Sequence, residues 1–586
     1  MIAHTVWLPK SSGPVSQLPF LVHPVIGRHP HSASSQPFTF RMFNSMLSFD
    51  TNNLYSTLRS MHPYTHVLLL LLLVIPAGAQ LIDKHKWPNV ANEGISKTYT
   101  DEIGAGRGSD SIPDSSRFLI RRDPFRAVRR GRQLFQRKFL RTDGLGRLNY
   151  DGDQDVDSNN SLGAGLSDSC AACHGRPRGS AGAGGDVASR PDSRDAPHLF
   201  GLGLKEMLAD EITLDLRVIR TQAIAEAKTS SAPVSKILAS KGVFYGSLTA
   251  KADGSVDSSQ ITGVDPDLRV RPFFAHGGTI SIREFVVGAL NNEIGMQAVE
   301  PDLMRASKGA RIETPSGLIL DGALDKIEAP VTDDPSADPD GDGMVNEVPE
   351  SIIDYFEFYL LNYFKPGTGE QTPATDHGRL LMESTGCTAC HIGNLQINRD
   401  RRVADLNTVF DPANGNLNRL FATAAPLIAV TADNPSLPSL KLPALQPFLV
   451  KDIFTDFKRH DLGMNFAERN YDGTVTMQFL TTPLWGVGTT APYGHDGRSI
   501  SLQEVILRHG GEAQESRDRF AALARNDQRD LTDFLSSLIL FPPDDTASTL
   551  DPGNRTAAGF PQVGHGAIKL TALRERVLEC NTYIRS

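Results

Sequence analysis

The sequence predicts a duplicated fold, two related halves each entered through a helix, and two observations carry that prediction. One five-residue signature occurs twice, and the segments that flank it recur in the same order.

The signatures are Cys170-Ala171-Ala172-Cys173-His174 and Cys387-Thr388-Ala389-Cys390-His391. Cys-x-x-Cys-His is the pattern by which a chain holds a c-type haem covalently. Two thiols one helical turn apart, Cys170 with Cys173 or Cys387 with Cys390, add to the two vinyl groups of one porphyrin. The adjacent histidine, His174 or His391, then reaches the iron from the same side. A lone Cys-x-x-Cys is equally a redox disulfide or half a zinc site. Here four of the five cysteines fall in the two signatures, which leaves no spare pair for a disulfide framework or a second zinc half-site. Two covalently bound haem c groups are therefore expected.

The echo extends beyond the signatures. Gly131-Arg132-Gln133-Leu134-Phe135 precedes the first as Gly378-Arg379-Leu380-Leu381-Met382 precedes the second, each reading as the helix that leads into the attachment site. Pro197-His198-Leu199-Phe200-Gly201-Leu202-Gly203 is matched by Pro483-Leu484-Trp485-Gly486-Val487-Gly488 with one residue skipped. His276-Gly277-Gly278-Thr279 and residues 280–287 pair with His495-Asp496-Gly497-Arg498 and residues 500–507, Ser499 being inserted.

Turn-forming composition marks the joints. The Asp- and Pro-rich stretch 331–341 reads as the linker and residues 365–375 as a second turn-rich segment, so the boundary is expected near 335, with haem domains at 80–335 and 336–545. Residues 546–586 read as a tail, in which Cys580 has no partner inside the chain. At the other end, an apolar core at 67–75 runs into Pro76-Ala77-Gly78-Ala79-Gln80, the small-residue pattern of a signal-peptide cleavage site. The run is short for a membrane span, so a retained anchor is the weaker alternative. Residues 1–79 are thus read as an extension plus signal peptide, with Met42, Met46 or Met61 a more ordinary start than Met1, and the location as periplasmic or otherwise exported.

A net charge of −9 argues against a nucleic-acid partner. The one basic stretch, 121–141, interleaves Phe125, Leu134, Phe135, Phe139 and Leu140, which favours the cationic face of an amphipathic helix. Asp338-Pro339-Asp340-Gly341-Asp342-Gly343-Met344-Val345-Asn346 begins like an EF-hand calcium loop, with oxygen donors on Asp338, Asp340, Asp342 and Asn346. The match fails at position twelve, which is Pro349, with Glu350 one place late. Bound Ca2+ is expected in a looser site, and Asp151, Asp153, Asp155 and Asp157 repeat the theme without the closing glycine.

Ala491-Pro492-Tyr493-Gly494-His495-Asp496-Gly497-Arg498, followed by Leu502-Gln503-Glu504-Val505 and His509, resembles the C-terminal signature of the bacterial di-haem cytochrome c peroxidase superfamily. Segments 196–204, 270–274 and 509–513 are most similar to its di-haem oxidoreductase branch, with the di-haem rubber oxygenases and the methylamine dehydrogenase maturation enzyme as cousins. The resemblance implies a mostly α fold of two cytochrome c-like haem domains packed face to face, with few strands. It also implies a sixth iron ligand fourteen residues beyond His495, which is His509, so that His391 and His509 complete one bis-histidine iron. In the first half the equivalent position is Ala289, which ligates nothing, and an open iron is expected there.

Further roles follow from the same resemblance. Glu293 matches the acidic residue over the open haem and would move the proton that lets a peroxide O–O bond break. His198 is the nearest substitute for a capping histidine, or else a partner of a haem propionate. Ala275 occupies the approximate place of the bridging tryptophan, leaving Phe274 or His276 between the haems and Trp485 and His495 near them. The expected function is an exported peroxidase-like oxidoreductase with one electron-transfer haem and one that reduces peroxide or activates oxygen. A small redox protein or a quinol-linked donor would supply electrons, and hydrogen peroxide, oxygen or a small organic molecule would be the substrate. The alternatives are an oxygenase acting on a hydrophobic organic substrate and a non-catalytic di-haem electron carrier.

Overall fold

Six helices form a frame that is built twice: α1 (Pro124–Gln136), α2 (Ile282–Ala289) and α3 (Glu350–Leu361), then α4 (Pro373–Ser384), α5 (Leu502–Arg508) and α6 (Arg525–Ser536). The computed structural model describes residues 98–146, 168–174, 196–362, 366–406, 409–411, 415–417, 424–469 and 473–540. The expected leader (1–79), the acidic run 151–157, and the tail with Cys580 lie outside the described residues. Those described belong to one compact unit within Leu81–Ser586.

The echo motifs do the same mechanical work in both halves. A Cβ on Gly131 of α1 would lie 2.2 Å from the carbonyl oxygen of Tyr355, and one on Gly378 of α4 would lie 2.0 Å from that of Asp530. Tyr355 and Asp530 are each the sixth residue of a 12-residue helix, α3 and α6. At the far end of those helices Gly203 and Gly488 repeat the device, their Cβ positions falling 2.0 Å from the Leu361 oxygen and 2.2 Å from the Ser536 oxygen. Only glycine permits backbones to approach so closely. Proline at the start of α1 and of α4 supplies the fixed φ that opens a helix without losing a hydrogen bond.

The second helix of each half is capped alike. Ser281 Oγ accepts from the Glu284 N–H at 3.1 Å while the Glu284 carboxylate accepts from the Ile280 N–H at 2.9 Å. Ser501, Glu504 and Ile500 repeat this at 3.2 and 2.8 Å. A serine cap answered by a glutamate three residues on satisfies backbone donors that a helix start leaves open.

By packing, α3 goes with the helices that precede it. Helix α3 lies against α1 and α2, and a buried ionic cluster holds it there. Arg283, fully buried on α2, pairs with Glu300 at 2.7 Å, Asp354 at 3.0 Å and Glu357 at 2.6 Å. Arg107 adds Asp302 at 2.8 Å and Asp354 at 2.7 Å. The frame restarts with α4 at Pro373.

Helix is the larger class, as expected, at 38%, but strand is not scarce, at 17%. Val234–Ser240, Val243–Ala250 and Val256–Asp257 form a three-stranded antiparallel sheet after the long helix Leu202–Ser230. The other strands form two-stranded ladders, among them Leu395–Ile397 with Phe448–Val450 and Arg459–Asp461 with Gln478–Leu480. Such short pairings are fixed by tertiary neighbours rather than by a long alternating pattern, so little in the sequence announces them. One large apolar core includes Leu208, Phe273, Phe356, Ile453 and Trp485, and a smaller one joins Met382, Phe454, Phe520 and Phe534 around α4 and α6. Among the described residues no helix is long and apolar enough to cross a membrane.

Candidate functional site

His174 ends the short helix Cys170–His174, and its Nδ1–H donates to the carbonyl of Pro197 at 2.7 Å. His391 donates its Nδ1–H to the carbonyl of Phe454 at 3.0 Å. Both imidazoles therefore keep their lone pair on Nε2, the nitrogen an axial ligand uses, with the tautomer fixed by a backbone acceptor. Burial lowers the pKa of each below the ordinary histidine value, which favours the neutral ligating form. Cys387 and Cys390 are free thiols and Cys170 packs against the larger apolar core, while the side chain of Cys173 lies outside what is described. This donor set fits two c-type haems: one imidazole with a free Nε2 beside thiols at the required spacing, twice over.

His509 caps α5 at its C-terminus, and its Nδ1–H donates to the Val505 carbonyl at 2.8 Å, so its lone pair too is on Nε2. Its ring stands edge-on to Phe466 with centroids 5.1 Å apart. Burial, with the charges of His391 and Arg508 adding to it, pulls its pKa down to about 4. His391 is thus an electrostatic neighbour of His509.

His198 has both ring nitrogens engaged: Nε2–H donates to the Trp485 carbonyl at 2.8 Å and Nδ1 accepts from the Phe200 N–H at 3.2 Å. Burial first, then the charges of Lys205 and His174, lowers its pKa to about 4. It is a neutral strut tying the first half's Pro-His segment to its echo in the second. Lys205, which the sequence reading passed over, is itself lowered to about 8 by burial and lies 5.6 Å from the centroid of Phe273.

The two His-Gly echo motifs converge on one carboxylate that the sequence reading also missed. Glu468, buried, lies 3.1 Å from His276 Nε2 and 3.4 Å from His495 Nε2. His276 Nδ1 is 3.0 Å from the Gln478 carbonyl. The ring of Phe479 touches both histidines, at centroid distances of 4.8 and 4.3 Å. Phe466 extends this stack toward His509. Phe274 is exposed at a left-handed φ of 63°, its ring 5.3 Å from Phe285. Glu293 is exposed on the π-helical turn Leu290–Ile294 that continues α2.

A third histidine serves the second signature. His460 Nδ1 is 2.7 Å from Glu512 and Nε2 is 2.8 Å from Asp456. Burial opposes its charge, but bonds to Asp456, Cys390 and Glu512 outweigh burial and raise the pKa to about 11. Cys390, Asp456 and His460 bring donor atoms within 4.8 Å of one another, and Asp456 and His460 are electrostatic neighbours of His391. The acidic loop stands apart from these groups: Asp338, Asp340 and Asp342 place one oxygen each within 4.8 Å of the others, and Asn346 is exposed at a φ of 52°. Burial, with Asp340, Asp342 and Asp338 adding, pushes the nearby Glu347 carboxyl up to about 8.

Residues 441–538 match the family described as "Di-haem oxidoreductase, putative peroxidase". The likeness to the di-haem peroxidase superfamily therefore holds over the segment that carries His460, His495 and His509. No curated protein matches the sequence. Among solved structures, hydrazine synthase of Kuenenia stuttgartiensis is 15% identical over 32% of this chain, with a TM-score of 0.20, and the match spans 55% of the synthase chain, about half its length. A MauG-like protein associated with microbial copper homeostasis is 13% identical over 50% of this chain and 78% of its own, with a TM-score of 0.22. Scores of that size carry no argument about the fold, which rests on the packing described above.

Proposed function

We propose that the chain is an exported di-haem c-type oxidoreductase of the peroxidase type, in which the haem held by His391 and His509 passes electrons and the haem held by His174 meets hydrogen peroxide. The observation that carries this reading is the asymmetry of two equivalent helices: α5 ends at His509 with Nε2 kept for a metal, while the matching position on α2 is Ala289. When bound, each haem supplies an iron that changes oxidation state by one electron.

The chain's own residues do the rest. Pro197, Phe454 and Val505 hold the three imidazoles in one tautomer through their carbonyls. Cys170, Cys173, Cys387 and Cys390 would attach the porphyrins covalently, and the two haem domains would face each other. His198, with both nitrogens engaged, braces the first site rather than capping it. Reduction of hydrogen peroxide to two waters takes two electrons, here from a small redox protein or a quinol-linked donor, and two protons. Glu293, exposed on its turn, can take protons from solvent and pass them inward. Export rests on the leader at 67–79.

The test is to mix the fully reduced, haem-loaded protein with hydrogen peroxide without oxygen and follow the haem absorbance. Rapid reoxidation is expected, slowed about 100-fold in Glu293→Gln with an unchanged resting spectrum. Reoxidation no faster than in the absence of peroxide would leave an electron carrier.

A further inference from the structure

The acidic loop that precedes α3 is not used by the haem chemistry, and it holds an unexplained group. Glu347 is only 3% exposed, and its Oε1 is buried without a hydrogen-bond partner. Its other oxygen, Oε2, accepts from the Gln297 N–H at 2.7 Å. The charged groups bearing on that carboxyl are the three loop aspartates, Asp340, Asp342 and Asp338. A buried carboxylate oxygen left bare beside three more carboxylates costs free energy unless a cation joins them.

We propose that residues 338–347 form a calcium site whose carboxylate ligands are Asp338, Asp340, Asp342 and Glu347. The aspartates occupy positions one, three and five of an EF-hand-like loop, and position seven, Met344, would offer its carbonyl. Position twelve, normally a glutamate, is Pro349. Glu347 replaces it from position ten, which removes the mismatch that the sequence shows, and exposed Asn346 is not required. Oxygen is the only donor type here, which selects a hard cation, and a flexible loop turning through Gly341 and Gly343, at φ of 73° and 94°, suits calcium better than the rigid octahedron of magnesium.

The site's neighbours say what the ion would hold. Glu347 bonds Gln297, which follows the π turn carrying Glu293. Its backbone carbonyl accepts from the Tyr99 hydroxyl at 2.7 Å, and a Cβ on Gly144 would lie 2.3 Å from Glu347 Cγ. Calcium bound here would fasten the linker to both the N-terminal segment and the Glu293 turn.

The experiment titrates CaCl2 into chelator-stripped, haem-loaded full-length protein by calorimetry and records thermal unfolding with and without calcium. One equivalent should bind with a Kd of about 10⁻⁶ to 10⁻³ M, and the Tm should rise on addition. Glu347→Gln and Asp340→Asn should each weaken binding at least tenfold and shrink the Tm rise, whereas Asp333→Asn, on the exposed side of the linker, should change neither. Glu347→Gln should melt in chelator no lower than the parent, since it removes a buried repulsion, and that shows the variant is folded. No calcium uptake by the parent overturns the proposal. So does unchanged affinity in Glu347→Gln, which would assign the ion to another acidic run.

Discussion

Helices α2 and α5 begin alike and end differently, and the function lies in the difference. Each opens on a serine cap locked by a glutamate three residues later. From there α5 stops after Arg508 and presents His509, whereas α2 continues through a π-helical turn and presents Glu293. One frame thus serves both halves, and the ends of equivalent helices differ, one presenting an imidazole and the other a carboxylate. Their middles diverge as well. Arg283 is buried among Glu300, Asp354 and Glu357, while its counterpart Gln503 is exposed beside Gln528.

The largest effect that separates the halves should come from that pair. Arg283→Met leaves buried Glu300 and Glu357 without their cation, Asp354 keeping Arg107, and should cost about 3–5 kcal/mol of stability. Gln503→Ala should change stability by no more than about 0.5 kcal/mol. Denaturant midpoints of the two variants measure the contrast, and equal losses would mean that the halves are tied in the same way.

Two histidines should give the halves opposite pH responses. His198 is held at about 4 when folded against an ordinary 6.5. The unfolded chain therefore takes the proton first, so stability is full above about 6.5 and falls as the pH drops toward 4, by up to about 3 kcal/mol. His460, raised to about 11, stabilises fully below 6.5 and loses that contribution as the pH rises toward 11. Melting temperatures across pH should show a shallower acid slope in His198→Gln and a shallower alkaline slope in His460→Gln than in the parent.

A smaller and symmetric effect should come from the shared frame. Gly131→Ala and Gly378→Ala each drive a methyl group into a carbonyl oxygen, at 2.2 and 2.0 Å, and should cost about 1–3 kcal/mol apiece. A cost in only one variant would break the equivalence of the two helix crossings.

Much of this was legible in the sequence because covalent and repeated features are local. The two signatures, the paired Gly-Arg segments and the echoed His motifs are short strings, and His509 was singled out by the resemblance to the di-haem peroxidases. What could not be read depends on contacts between distant segments. Nothing near Glu350 marks α3 as the closing helix of the first half, because its partners are Gly131, Gly203 and Arg283. Glu468 sits in no motif, yet it joins His276 to His495. Glu347 reads as a linker acid until its burial is known, and the two-stranded ladders arise from pairings between residues far apart in the chain, as between Ile397 and Phe448 or between Thr368 and Leu538.

The central claim is that one iron is closed by two histidines and the other is not. Electron paramagnetic resonance of the ferric, haem-loaded protein tests it most directly, in the parent and in His509→Ala. The account predicts one low-spin and one high-spin signal in the parent and two high-spin signals in the variant, with both haems still attached. Two low-spin signals in the parent, or a spectrum that His509→Ala leaves unchanged, would contradict it.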